Sequence, residues 1–343
     1  MHVVVTVDPE IPVPPVSYGG IERIAEGLCA GLAGRGNRVT LFANPDSTVD
    51  VERIGWRGTS SASRIDTLRN ALQLSQWVKA HRSDEMIVHS FSRLLYLFPL
   101  FRSGIPLVQS YQRHVTPRSV RWGRRVAGGR LRFTACSRWC AQAFGSGADW
   151  TVIHNFVPES HYHFRERVPD DAPLVFLGRV ERIKGAHHAI AVARHTGKKL
   201  IIAGNRCESG PEARYFEEEI QPALEAGRIE YVGPVDNRQK DELLGSASAL
   251  LFPVEWEEPF GIVMIEALAC GTPVIALKRG AVPEVVADGE SGWVVESEEA
   301  MAEAVSKIGR ISRARCRKHF EDSFSDSVII QKYINLYNEC LKA

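Results

Sequence analysis

Short runs of consecutive apolar residues recur along this chain, separated by longer stretches in which apolar positions fall three or four apart. The runs read as strands buried on both faces, and the spaced stretches as helices that cover those faces. In the first half the runs fall at Val3 to Val7, Arg38 to Phe42, Met86 to His89, Pro106 to Gln109, Phe133 to Cys136 and Thr151 to Ile153. A second series runs through Leu174 to Leu177, Leu200 to Ala203, Ile229 to Val232, Leu250 to Phe252, Val274 to Ala276 and Trp293 to Val295. Gly19-Gly20 opens a helix reaching Leu32, and a closing helix spans about Ser325 to Leu341. This alternation predicts an α/β chain with two doubly wound parallel sheets. The segment from about His161 to Pro173 mixes charge, His and Pro and predicts the hinge. Domains are therefore expected at 1–164 and 165–324, with 325–343 as a terminal helix.

Ligands of such sheets bind beyond the carboxyl ends of the strands, and the densest chemistry falls there. The apolar run Ala249 to Val254 is broken by Pro259 and Gly261 before a helix from Ile262 to Ala269. Glu258 is thus expected at a strand's carboxyl end, with Glu266 one helical turn further in. The backbone N–H groups of Gly261, Ile262 and Val263 open the helix, and with its dipole they favour an anion. Two carboxylates beside an anion site repel phosphate unless they are aimed at hydroxyls, which donate to them. A sugar and a ribose supply such hydroxyls, so the stretch reads as a nucleotide-sugar site. Gly178-Arg179 follows another strand, and Lys184-Gly185 opens the next helix. Arg offers a planar fork and Lys a compact charge, and both suit a diphosphate. The first strand lacks a Gly-x-Gly-x-x-Gly loop, which disfavours a dinucleotide oxidoreductase. Gly19 and Gly20 remain, a pair where backbone approaches a phosphate or sugar closely, or an ordinary tight turn.

The Glu258-x7-Glu266 spacing, the Pro259-Phe-Gly261 between them and the Ala269-Cys-Gly-Thr-Pro-Val-Ile-Ala276 tail resemble retaining glycosyltransferases of family 4, the glycosyl transferases group 1. Asn155 in Val152-Ile-His-Asn-Phe-Val157, Gly178-Arg-Val-Glu-Arg-Ile-Lys-Gly185, Ile201-Ile-Ala-Gly204 and Gly280-Ala-Val-Pro-Glu284 fall in that family's order. The resemblance covers nearly the whole chain. It implies the GT-B fold, two Rossmann-like domains facing an interdomain cleft, with the first binding acceptor and the second binding a nucleotide-sugar donor. It also implies that the terminal helix crosses back to brace the first domain. Glu258, Arg179 and Lys184 are expected in catalysis, with Glu258 holding donor-sugar hydroxyls in a front-face transfer and not attacking as a nucleophile. Gly19, Gly20, Phe260, Gly261, Ile262, Val263, Glu266 and Asn205 are expected at the donor, Glu266 on the ribose. The base contacts loop backbone near Asn205 and Tyr231 to Gly233, with a UDP-sugar expected over a GDP-sugar. Many relatives place a His in the cleft after the strand that here reads Ile105-Pro-Leu-Val-Gln109, whereas this chain continues Ser110-Tyr-Gln-Arg-His114. His114 is the expected cleft residue, and Gln112 the alternative. A nucleotide-sugar 2-epimerase of the same fold, which needs no acceptor, and a non-catalytic nucleotide-sugar sensor are the competing readings. The sensor is disfavoured because Arg179, Lys184, Glu258 and Glu266 are all kept.

With 343 residues, 44% of them hydrophobic, the chain can bury two cores. Its amino terminus reaches Asp8 and Pro9 after a short apolar run, which reads as neither a secretory signal nor a spanning helix. The expected location is cytoplasmic, with peripheral contact on the inner face of the membrane. Seven scattered cysteines predict reduced thiols. There is no Asp-x-Asp, and neither His161-Tyr-His163 nor His187-His188 has carboxylates at ligand spacing, so no cofactor and no required metal is expected.

Net charge is only +1, yet from Arg102 to Arg138 there are nine arginines and no Asp or Glu. Arg118, Arg121 and Arg125 recur on one helical face that also carries Trp122 and Val126. Leu94 to Phe101 is an apolar run broken only by Pro99. A basic surface beside an apolar one predicts an anionic or lipid-linked acceptor and membrane contact; the competing reading is a solvated basic helix beside a buried core helix. Nucleic acid is disfavoured, because no aromatic platform or helix-turn-helix accompanies the arginines.

Overall fold

The computed structural model describes residues 1–16, 19–113, 117–145, 149–225 and 227–342. The chain divides into two compact units, Met1–Asn155 with Asp326–Ala343, and Phe156–Ser325.

In the first unit the strands are β1 (His2–Thr6), β2 (Arg38–Ala43), β3 (Glu52–Gly55), β4 (Met86–Ser90), β5 (Leu107–Tyr111), β6 (Leu131–Ala135) and β7 (Trp150–Val152). They form one parallel sheet in the order β3-β2-β1-β4-β5-β6-β7. β1 and β4 pair at its centre, His2 opposite Met86, and every residue of both is buried, which is why they read as unbroken runs rather than alternating ones. β3 escaped the hydrophobic pattern because Glu52-Arg-Ile-Gly55 is a charged, largely exposed edge strand. It is held by pairing with β2 and by the Arg38–Glu52 ion pair at 3.0 Å. The helix Asp326–Lys342 packs on the helix Gly20–Ala33, where Ile330 Cδ1 fills the space a Cβ on Gly31 would take, 1.8 Å from that position. Tyr337 of the same terminal helix places its hydroxyl 2.6 Å from Nδ1 of His89, whose Nε2 lies 2.7 Å from Ser110 Oγ. His89 is fully buried, and burial depresses its pKa to about 3, so the ring is a neutral core group.

The second unit repeats the plan with β8 (Leu174–Leu177), β9 (Leu200–Ala203), β10 (Ile229–Gly233), β11 (Ala249–Phe252), β12 (Val274–Leu277) and β13 (Gly292–Val295). All are parallel, in the order β10-β9-β8-β11-β12-β13. Strand order reverses between β8 and β11, and the loops leaving those two strands flank that switch point. Leu174, Phe176, Ile190, Phe216, Leu251 and Met301 pack one core layer.

The segment expected to be the hinge is instead anchored inside the second unit, whose boundary falls earlier, after Asn155. Tyr162 donates to Glu266, and the backbone N–H of His163 donates to Asp241 at 2.7 Å. Arg165 reaches the carbonyls of Asp241 and Glu242 at 3.2 and 2.9 Å. His163 and Arg165 also pair with the Asp241 carboxylate, at 2.9 and 3.8 Å, and such anchored residues look in sequence the same as those of a solvated linker.

Candidate active site

Lys184 and Glu258 come together at the switch point of the second sheet. After β8 the chain makes a single 3-10 turn, Arg182–Lys184, and turns into the helix Ala186–Thr196 at Gly185. Gly185 has φ +76, and a Cβ there would lie 2.0 Å from the Pro253 carbonyl oxygen, so the loop after β11 is packed directly on this glycine. The two loops are also tied by a bond from Glu255 N–H to the Ile183 carbonyl at 2.9 Å. That contact sets Lys184 Nζ 2.7 Å from Glu258 Oε2. Trp256 completes the cluster, with Nε1 donating to the same oxygen at 2.9 Å and its ring centroid 4.7 Å from Lys184 Nζ. Gly280, at φ +53, lies over the backbone of Glu258, where a Cβ would come within 2.2 Å of the Glu258 oxygen. Ala281 N–H donates to that carbonyl at 2.9 Å, so the Gly280–Glu284 segment fixes Glu258 from behind.

Glu258 is followed by Gly261, the N-cap of the helix Ile262–Ala269, which starts where the sequence pattern places it. Ile262 and Val263 are half-buried, while Phe260 turns its ring into the core 5.9 Å from Phe324, leaving its backbone as the part able to meet a ligand. Glu266 is 5% exposed, and its Oε1 receives Lys240 Nζ at 2.6 Å and Tyr162 OH at 2.8 Å. A partner for Glu266 inside the fold is thus present, and it comes from two residues that the sequence reading did not name. Arg179, at the end of β8, is ion-paired with Glu181. Asn205 is exposed beyond β9 and accepts the Val180 N–H at 2.8 Å. Tyr231 OH donates to the Gly204 carbonyl at 2.8 Å, which fixes the backbone beside it.

In the first unit Gly19 is buried and Gly20 begins its helix, and a Cβ on Gly19 would lie 2.8 Å from Glu22 Oε2. Beyond β1, Asp8 accepts the Arg93 N–H at 3.3 Å and pairs with Arg113 at 3.1 Å. Burial raises the pKa of both Asp8 and Glu22. Neither carboxylate was singled out in the sequence, where each is one acid among many. Among the described residues Gln112 has its Oε1 buried without a hydrogen-bond partner, and His114 lies outside them. Asn155 is buried, and its Oδ1 has no hydrogen-bond partner among the described residues.

The basic helix Pro117–Ala127 exposes Arg118, Arg121, Arg124 and Arg125. Trp122, 40% exposed, stacks on Phe98, 50% exposed, with centroids 5.6 Å apart. The apolar run before it is a 3-10 segment, Leu94–Leu100, that buries Leu94, Tyr96, Leu97 and Leu100 and leaves Leu95 and Phe98 outward. No helix among the described residues is long and apolar enough to cross a membrane.

Residues 160–319 match the family model for glycosyl transferases group 1, and residues 18–161 match that for glycosyltransferase family 4. The chain is 33% identical over 159 residues to a glycogen synthase of Mycobacterium tuberculosis, a match covering 44% of this chain and 37% of that protein. The chain thus spans little more than a third of that relative's length. Among solved structures, AviGT4, a glycosyltransferase involved in avilamycin A biosynthesis, superposes with a TM-score of 0.75 at 23% identity, covering 100% of this chain and 98% of its own. Anabaena HepE, solved in complex with UDP and glucose, gives 0.75 at 18% identity, covering 99% of this chain and 100% of its own. With two parallel Rossmann-like sheets and adjoining matches that run from residue 18 to 319, the chain belongs to glycosyltransferase family 4 and has the GT-B fold.

Proposed function

We propose that this glycosyltransferase moves a sugar from a nucleotide diphosphate, a UDP-sugar, to an acceptor hydroxyl with retention of anomeric configuration. The observation that carries the reading is the Lys184–Glu258 pair at the switch point, with Glu266 one helical turn into the adjoining helix. In this reading Lys184 exchanges its bond to Glu258 for the donor diphosphate, and Arg179 leaves Glu181 to do the same. Charge grows on the departing diphosphate in the transition state, so these cations stabilise it more than they stabilise bound donor. Glu258 then accepts hydrogen bonds from the donor sugar. Its Oε2 keeps the hydrogen bond from Trp256 after Lys184 has moved, which lowers its nucleophilicity and favours front-face transfer over a covalent intermediate. Glu266 offers Oε2 to the ribose, since Lys240 and Tyr162 occupy Oε1. The cations and the backbone N–H groups of the helix start do the electrostatic work at the diphosphate, so no metal is required there. The UDP and glucose bound to Anabaena HepE support the choice of donor.

The acceptor is assigned to the first unit and is anionic or lipid-linked. The exposed arginines beside Trp122, Phe98 and Leu95 support this, as does a stripe of Ile65, Leu68 and Leu72 exposed on the helix Arg64–Ala80. The exposed arginines beside Trp122 and Phe98 also support peripheral contact with an anionic membrane.

Slow hydrolysis of an α-linked UDP-sugar by the enzyme tests retention without knowledge of the acceptor. Proton NMR on early time points should show the α-anomer released first. Initial release of the β-anomer would remove the retaining assignment.

A further inference from the structure

We propose that His187, His188 and Glu255 form a binding site for a divalent transition metal ion of the zinc class. The two histidines are consecutive in the first turn of the helix Ala186–Thr196, and Glu255 arrives from the loop after β11, 67 residues further along the chain. Glu255 Oε1 lies 3.0 Å from His188 Nε2 and 3.2 Å from His187 Nε2. One ligand atom from each of the three residues falls within 4.8 Å of the others. Around a tetrahedral zinc ion with bonds of about 2.0–2.1 Å, neighbouring ligand atoms stand about 3.3 Å apart, so the cluster is close to the required spacing.

The other ring nitrogens are already engaged. His188 Nδ1 lies 2.6 Å from Glu298 Oε2, and His187 Nδ1 lies 2.8 Å from Tyr215 OH. A carboxylate opposite Nδ1 favours the tautomer with its proton there, as in the carboxylate–histidine–metal arrangement. Both Nε2 atoms face the same Glu255 Oε1, so the three ligand atoms converge on one point. One divalent ion at that point satisfies all three ligands. Two imidazoles and a carboxylate suit zinc, cobalt, nickel or copper, whereas calcium and magnesium favour oxygen donors. The side chains are 20%, 26% and 37% exposed, which leaves an entry path and a fourth position for water.

His187 lies three residues beyond Lys184, and Glu255 three residues before Glu258. A metal here braces the two loops that carry that pair without touching the diphosphate, and its existence does not depend on the proposed reaction. The sequence reading expected no metal because no carboxylate stands near His187-His188 in the chain; the fold supplies Glu255 and Glu298.

The test strips the protein with a chelator, then titrates it with zinc alone against a chromophoric competitor and with cobalt alone for its absorption spectrum. One zinc per chain is expected. His187→Ala and Glu255→Ala should each weaken binding at least about 100-fold, and Glu298→Gln should weaken it about 10- to 100-fold. Cobalt should give a four-coordinate spectrum without a thiolate charge-transfer band. Absence of stoichiometric zinc binding, unchanged affinity in His187→Ala, or a thiolate band from half-exposed Cys207 would overturn the proposal. If the alanine variants fail to fold, Glu298→Gln decides, since it keeps the shape and removes the charge.

Discussion

Lys184 Nζ stands 2.7 Å from Glu258 Oε2, and both side chains are largely buried, at 15% and 11% exposure. A buried pair of this kind holds each partner in place but leaves an uncompensated charge when one is removed. It also means that the cation assigned to the leaving group is positioned before any donor binds. Lys184→Ala should lower kcat by about 10² or more, as loss of a preorganised transition-state contact does. Lys184→Arg should recover part of that loss, and near-normal kcat in the alanine variant would remove Lys184 from the chemistry.

Glu266 makes a sharper test as glutamine than as alanine. Alanine strands the Lys240 ammonium, which is 11% exposed, and the resulting instability would mask a change in affinity. Glu266→Gln keeps a partner for Tyr162 and weakens the charge-assisted bonds to ribose, each contributing about 1.5 to 3 kcal/mol. Calorimetry should show UDP affinity falling by at least about tenfold, and unchanged affinity would take Glu266 off the ribose.

His89 gives a pH dependence with a defined sign. Its pKa is about 3 in the folded chain and 6.5 by ordinary behaviour, so between those values the unfolded chain holds a proton that the folded chain does not. The stability it contributes is complete above pH 6.5 and is lost as pH falls toward 3, by up to about 1.4 kcal/mol per pH unit. Urea midpoints measured across that window should fall more steeply for the wild type than for His89→Gln. Equal slopes would contradict a neutral buried ring.

The basic helix predicts salt-sensitive binding to anionic bilayers. Wild-type protein should sediment with phosphatidylglycerol vesicles and not with phosphatidylcholine vesicles. Replacing Arg118, Arg121 and Arg125 together by Gln should reduce binding about 100-fold, at about 1 kcal/mol for each charge. Equal binding to both lipids, or no effect of the triple substitution, would count against membrane contact.

Much of the fold was legible because its strands are buried on both faces. Leu174–Leu177 and Leu200–Ala203 were read to the residue, as was the helix Ile262–Ala269, which a Pro and a Gly punctuate. Glu52–Gly55 was not legible, since an edge strand has no apolar run to show. The reading of the site divided in the same way. Glu258 and Glu266 sit in a local spacing that carries meaning. Lys240, Tyr162 and Trp256 act through contacts made only after folding, and nothing local marks them out. The segment from His161 to Pro173 was misread for the same reason, because a charged residue with a fixed partner is written like a solvated one.

The measurement that bears most directly on the central claim is release of nucleotide diphosphate from a panel of UDP-, GDP- and other nucleotide-sugars. It is run with a chelator and a mixed acceptor panel present, for wild type and Lys184→Ala side by side. The expected result is release from a UDP-sugar that survives the chelator and falls about 10² or more in the variant. Release that requires added metal, that prefers a GDP-sugar, or that persists undiminished in Lys184→Ala would contradict it.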